Sequence, residues 1–567
     1  MKSKSSLALL IFMSITAVPS LHSQTLPADA KSTCAVTGVL FKSWFQSGNV
    51  TLNGVVNPAN SVTFPNSPNC SFYQWSEQMF LWLTSPAPSN YGGGTRVFDS
   101  GIFYDVTPPA ADGSRTLVQH TAGRILPFQL RAAQVGFHGL PVIMDTSGVL
   151  HEVERPTFSP TGNQLIHDQA GKTIEIGRAS LGADGKPVLM DKAGKPVVLS
   201  SLAVKPLIQN RDLSLNSTLQ KITILNHLPI FVGPGGNIVP VEQGQSDDSV
   251  LQAQNGSLIY YATIVNDVYA YFATAVKDHN LSATSFPTSA AQLAAVVSFA
   301  GAHGKTFPDP NALAVELKSS WVEAAGLPNL SSYITVQATI PTYNKSNPNH
   351  WIPNGTKTAQ LALVGIHVVG STAGHPEMIW ATFEHTGNTP LAAYSYVTAS
   401  SVTKSVVQTT AGSWLFTHTG SAGPFNQAHM QLSGTGIVPI APHTISPSDT
   451  LRWKPFGAAT NLSPNPIDGN AANSNTEIIS INNSVRGMLL SGDIRGNYIM
   501  SGATWTIGGA SPTSSNQVGT NQLSNSTMET YQQGTNTLGG PGFNCFSCHT
   551  ANTTFVSHVF PQLKPLF

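Results

Sequence analysis

Gln360-Leu361-Ala362-Leu363-Val364-Gly365-Ile366-His367-Val368-Val369 is apolar at odd and even positions alike, the pattern of a central strand buried on both faces. His367 is expected inside. A second strand follows at His375-Pro376-Glu377-Met378-Ile379-Trp380-Ala381-Thr382-Phe383-Glu384-His385. In alternation Trp380, Thr382 and Glu384 face one way, and Ile379, Ala381, Phe383 and His385 the other. Its Glu and His side chains are candidates for proton handling or for a satisfied hydrogen-bonded pair.

Strand signals dominate from Tyr333 to about Ile507, interrupted by one helical stretch at 476–490, where Ile478, Ile481 and Val485 mark the apolar side. Upstream, 137–201 repeats an apolar run, Asp-x-x-Gly and a second run, with turns at 145–148, 168–171 and 191–194. Asp opens such turns and Gly accepts the positive φ they need, so the segment predicts successive β-hairpins rather than calcium loops. Helices are predicted where Phe72, Trp75, Met79 and Trp82 recur, and where Ile264, Val268, Phe272, Ala275 and Val276 share a face. Two more are read from Ser289 as cap of an Ala-rich run and from Leu313, Leu317 and Trp321. The fold class expected is mainly β with several helices (α+β), a large β-rich body with a short C-terminal tail.

That tail carries Cys545-Phe546-Ser547-Cys548-His549. Two thiols three positions apart can form thioethers to one porphyrin, and the adjacent histidine then reaches the iron as proximal ligand. Zinc would need four ligands, and the remaining thiols, Cys34 and Cys70, are far upstream and form no second CxxC. A thioredoxin-like pair expects a helix start after a strand, whereas Gly539-Gly540-Pro541-Gly542 precedes this one. A disulfide within Cys545–Cys548 would close a very short, strained loop. One covalent haem c is therefore the expected cofactor, held by Cys545, Cys548 and His549.

Only Thr550 to Phe567 follow the motif, so most of the haem pocket is expected from upstream residues. For the second axial position Met528 is the nearest sulfur by sequence, His558 is local, and His367 is a third candidate.

Lys2, Lys4 and the apolar run Leu7–Val18, followed by small and polar residues, read as a secretory signal peptide with a mature start near Gln24. Covalent haem attachment outside the cytoplasmic membrane agrees with it, so a bacterial periplasmic or exported protein is expected. In that oxidising space Cys34 and Cys70 are the expected disulfide, closing a loop that contributes about 4 kcal/mol. No later run is long and apolar enough to span a bilayer. With 28 basic and 28 acidic residues and no basic stripe, no nucleic-acid partner is implied. The 49 Gly and 39 Pro fit a turn-rich exported β protein. Soft boundaries divide the chain into a signal peptide (1–23), an aromatic-rich segment (24–100), a hairpin region (101–215), a helical region (216–330), a β-rich body (331–520) and the haem tail (521–567).

Phe72-Tyr73-Gln74-Trp75, the His375–His385 segment, Thr527-Met528-Glu529-Thr530 and the terminal CxxCH resemble a group of exported bacterial mono-haem proteins of the cytochrome c family. The resemblance implies haem binding and periplasmic electron transfer, with a redox partner protein or a small electron donor or acceptor. A haem-dependent oxidoreductase or peroxidase-like enzyme with an open sixth position is the alternative, and a surface binding module with accessory haem a further one.

Overall fold

The computed structural model describes residues 23–567 apart from 66–68, 109–113, 123–133, 136–140, 145–149, 155–156, 160–162, 168–171, 182–186, 198–217, 225–227, 233–248, 409, 434–435, 441, 457–468, 513–515, 521, 533–544, 550–556 and 558. The signal-peptide segment up to residue 22, the turns at 145–148 and 168–171, and His558 thus lie outside the described residues.

The architecture is α+β around one nine-stranded antiparallel sheet. Its strands in chain order are β1 (Phe103–Val106), β2 (Leu117–Gln119), β3 (Tyr260–Asn266), β4 (Val315–Glu323), β5 (Thr335–Asn344), β6 (Ile352–Thr372), β7 (His375–His385), β8 (Tyr498–Thr506) and β9 (Gln517–Gly519). They lie in the order β2-β1-β3-β4-β6-β7-β8-β9, with β5 paired to the first half of β6. The apolar run that begins at Gln360 occupies the second half of β6, between β4 and β7, where both of its faces are covered.

One face packs on α1 (Gly38–Trp44), α2 (Asn69–Thr84) and a later helix, α5 (Gly469–Met488). Phe72, Trp75, Met79 and Trp82 are all buried on α2, and its Phe80 ring stacks on Phe383 at 4.3 Å. Ile366 and Val368 of β6 and Ile379, Ala381 and Phe383 of β7 line this face. The opposite face carries α3 (Asp267–Lys277), α4 (Ala290–Ala302) and residues from the C-terminal part of the chain. Asn266 caps α3 by accepting from the Tyr269 N–H, and Ser289 caps α4 by accepting from the Gln292 N–H.

Three expectations are corrected. Leu313, Leu317 and Trp321 do not define a helix, because Val315–Glu323 is β4, paired with β3 and β6. A spacing of four residues satisfies both the helical and the strand period, and the partner strands decide. The helix read from Ile264 begins only at Asp267, Ile264 being in β3. His367 is not wholly inside: its side chain keeps 16% exposure.

The hairpin region forms two small sheets, Thr157–Phe158 through Pro187–Asp191 and a five-stranded one that includes Leu150–Glu154 and Thr218–Ile224. At the turn 191–194, Asp191 Oδ1 accepts the N–H groups of Ala193 and Lys195 while Gly194 takes φ 76°. Cys34 and Cys70 lie at disulfide distance, Cα 5.0 Å apart, joining the chain ahead of α1 to the start of α2. No helix among the described residues is long and apolar enough to cross a membrane.

Candidate functional site

Side chains alternate along strands, so antiparallel register arranges them in rows across a face. On the face opposite α2 three rows follow from the pairing. The first runs Val265, Glu316, Val369, Trp380, Thr504; the second Thr263, Lys318, His367, Thr382, Gly502; the third Tyr261, Ser320, Gly365, Glu384. Neighbouring rows are about 7 Å apart along a strand.

The C-terminal part of the chain covers this face twice. Over the third row lies the segment around Asn525–Thr530. Thr527 hydrogen-bonds Ser320 at 2.6 Å, Tyr261 donates to the Thr527 carbonyl at 2.8 Å, and Asn525 donates to Thr382 at 2.9 Å. A Cβ on Gly365 would lie 2.6 Å from the Thr527 hydroxyl oxygen, so this approach needs glycine. Glu384 anchors the segment from below: it accepts the Ser526 N–H at 2.7 Å and binds Arg452 through Nη2 at 2.5 Å and Nε at 3.2 Å. Glu384 and Arg452 are both wholly buried.

Over the first row lies the CxxCH motif. Cys545–Cys548 is a single helical turn, α6, and the His549 N–H closes it onto the Cys545 carbonyl at 2.9 Å. Positions 545, 548 and 549 are thereby related by three and four residues, the spacing that shares a helix face. Phe546 is buried against Trp380, ring centroids 6.1 Å apart, and the half-buried His549 ring lies 4.2 Å from the same indole. Trp380, Val369, Met378, Val559 and Phe560 share one apolar cluster with Phe546, and Cys545 packs at its rim. Farther along the row Ser557 donates to Glu316 at 2.6 Å and meets Tyr269 of α3 at 2.8 Å. Burial holds the Glu316 carboxyl above its usual range.

In the second row Thr382 is buried, while His367 is intermediate in exposure. Lys318 and Thr263 beside it are intermediate in exposure too. His367 Nε2 meets Glu529 Oε1 at 2.9 Å. Burial pushes the Glu529 carboxyl up, but His367, a backbone N–H of Asn525 and Lys318 together hold it below the ordinary value.

The remaining acids and histidines of β7 are a buried pair and a neutral core ring, with Glu377 Oε2 buried and unbonded among the described residues. His375 Nδ1 meets Glu377 Oε1 at 2.8 Å, and the Thr506 N–H donates to the same oxygen. Burial pushes His385 down to about 3; its neutral ring stacks on Tyr333 at 3.7 Å. Met528 is buried, in the segment over the third row.

Positions 545, 548 and 549, on one turn with the His549 imidazole beside the Trp380 indole and Cys545 at the rim of an apolar cluster, are the ones that would hold a covalent haem. The pairing of Lys318 with His367 beside that cluster, and the Glu377 anchor behind Trp380, had no signal in the sequence, since both depend on register. Nothing matches this chain among protein-family models, curated proteins or solved structures.

Proposed function

We propose that this is an exported c-type haem protein whose task is electron transfer, with one haem attached through Cys545 and Cys548 and His549 as proximal iron ligand. The observation that carries the reading is the CxxCH sequence wound as a single turn with the His549 ring set 4.2 Å from Trp380. When bound, the haem would supply a one-electron ferric/ferrous couple. The chain's own part is to hold the two thiols on one turn, restrain the imidazole against Trp380, and exclude water with Phe546 and Val369. A bacterial periplasm is the compartment that fits both a signal peptide and covalent haem, and a redox protein or small electron carrier is the partner class.

The test is a paired substitution. Cys545→Ala and Cys548→Ala should each weaken or abolish haem that survives acid–acetone extraction, and the double variant should lose it, while the body stays folded by circular dichroism. Full retention of covalent haem in either single variant, or any in the double variant, refutes the assignment.

A second reading, a haem-dependent oxidoreductase, draws on the half-buried Lys318 and His367 with Glu529, beside the row that carries Trp380. It predicts a high-spin iron that binds cyanide, and His367→Gln would then lower turnover without changing haem content.

A further inference from the structure

Met378 occupies an unusual backbone position on this face, one of two in its apolar cluster with Leu313. It is fully buried, yet its φ is 68°, a left-handed conformation that residues with a side chain rarely adopt. The register explains how it arises. Gly370 pairs with Ile379 and Thr372 with His375, so the three residues Pro376, Glu377 and Met378 stand opposite Ser371 alone. This is a bulge, and it is built rather than tolerated. Glu377 Oε1 accepts from the Thr506 N–H at 3.0 Å and pairs with His375 Nδ1 at 2.8 Å, and the Trp380 indole N–H donates to the Glu377 carbonyl at 2.9 Å. One buried acid thus fixes the strained residue on one side and the indole that meets His549 on the other. Strain held in this way marks functional positions.

The strained residue is also a sulfur donor in the right surroundings. Met378 belongs to the same apolar cluster as Trp380, Val369 and Phe546, with Cys545 at its rim. Among the described residues the three apolar clusters do not include Met528, and its segment is hydrogen-bonded to the second and third rows. Trp380 and Glu384 are four residues apart on β7, about 13 Å along the strand.

We infer that Met378, presented by the Glu377 bulge, is the residue whose thioether would ligate the iron together with His549. This rests on the haem reading above. A neutral thioether favours ferrous over ferric iron, so it would raise the reduction potential relative to a nitrogen ligand.

The experiment uses the full chain carrying covalent haem and reads the ferric spectrum for the sulfur-to-iron charge-transfer band. Met378→Leu conserves volume at the site, so it should keep one haem per chain while losing the band and lowering the potential. Met378→His, as a second variant should the first fail to fold, should give low-spin iron without the band. Met528→Leu should leave the band in place. A band that survives Met378→Leu, a band abolished by Met528→Leu, or a parent protein without one overturns the inference while leaving covalent haem standing. Absence of covalent haem from the parent overturns the haem reading, and the ligand assignment with it.

Discussion

His120 lies buried between two buried aspartates, its Nδ1 3.0 Å from both Asp105 oxygens and its Nε2 3.0 Å from Asp99 Oδ1. Burial alone would pull its pKa down, but the hydrogen bonds and charges of Asp105 and Asp99 outweigh it and raise the value from 6.5 to about 9. Between those values the folded protein holds a proton that the unfolded chain has released, so stability falls as pH rises. The contribution is fully present below pH 6.5 and lost by the time pH passes about 9. At 1.36 kcal/mol per pH unit it amounts to roughly 3 kcal/mol. Burial also raises Asp267 to about 7 and Glu77 to about 8, which adds slope of the same sign. Comparison with His120→Gln removes that background, because both groups remain in the variant. Urea unfolding from pH 6 to 10 should therefore show the parent losing roughly 3 kcal/mol more than His120→Gln across the window. Parallel curves would refute the charged His120 and the reasoning from its two aspartates.

Two other outcomes are expected of the body. Arg452→Met leaves Glu384 buried without its cation and should destabilise by about 3–5 kcal/mol, with Glu384→Gln/Arg452→Met recovering part of the loss; an Arg452→Met protein as stable to urea as the parent would contradict this. Cys34 and Cys70 are 36 residues apart, so reduction or Cys34→Ala should cost about 4 kcal/mol, and a melting temperature unchanged by reductant would show the link to be unimportant.

Much of this arrangement was legible from local pattern. The run from Gln360 to Val369 reads as a central strand because its apolar positions ignore alternation, and β6 lies between β4 and β7. The alternation of β7 places Trp380 opposite to Ile379, Ala381 and Phe383, as the two apolar clusters show. Ser289 signals its helix through one hydroxyl. What could not be read depends on distant partners. Leu317 and Trp321 fit two periods, and only the flanking strands make them β. His367 reads as core because its neighbours in sequence are apolar, whereas its partner is Glu529, 162 positions downstream. The bulge at Met378 has no sequence signal, since an ordinary methionine takes a glycine-like backbone there through the Glu377 anchor.

The most direct test of the proposed haem is the haem content of the full chain made with a c-type maturation system, read as the pyridine haemochrome after acid–acetone extraction. The account predicts one haem per chain, retained through extraction and bound through both thiols of the CxxCH turn. Protein that is folded but carries no extraction-resistant haem, with Cys545 and Cys548 both open to alkylation, would contradict it.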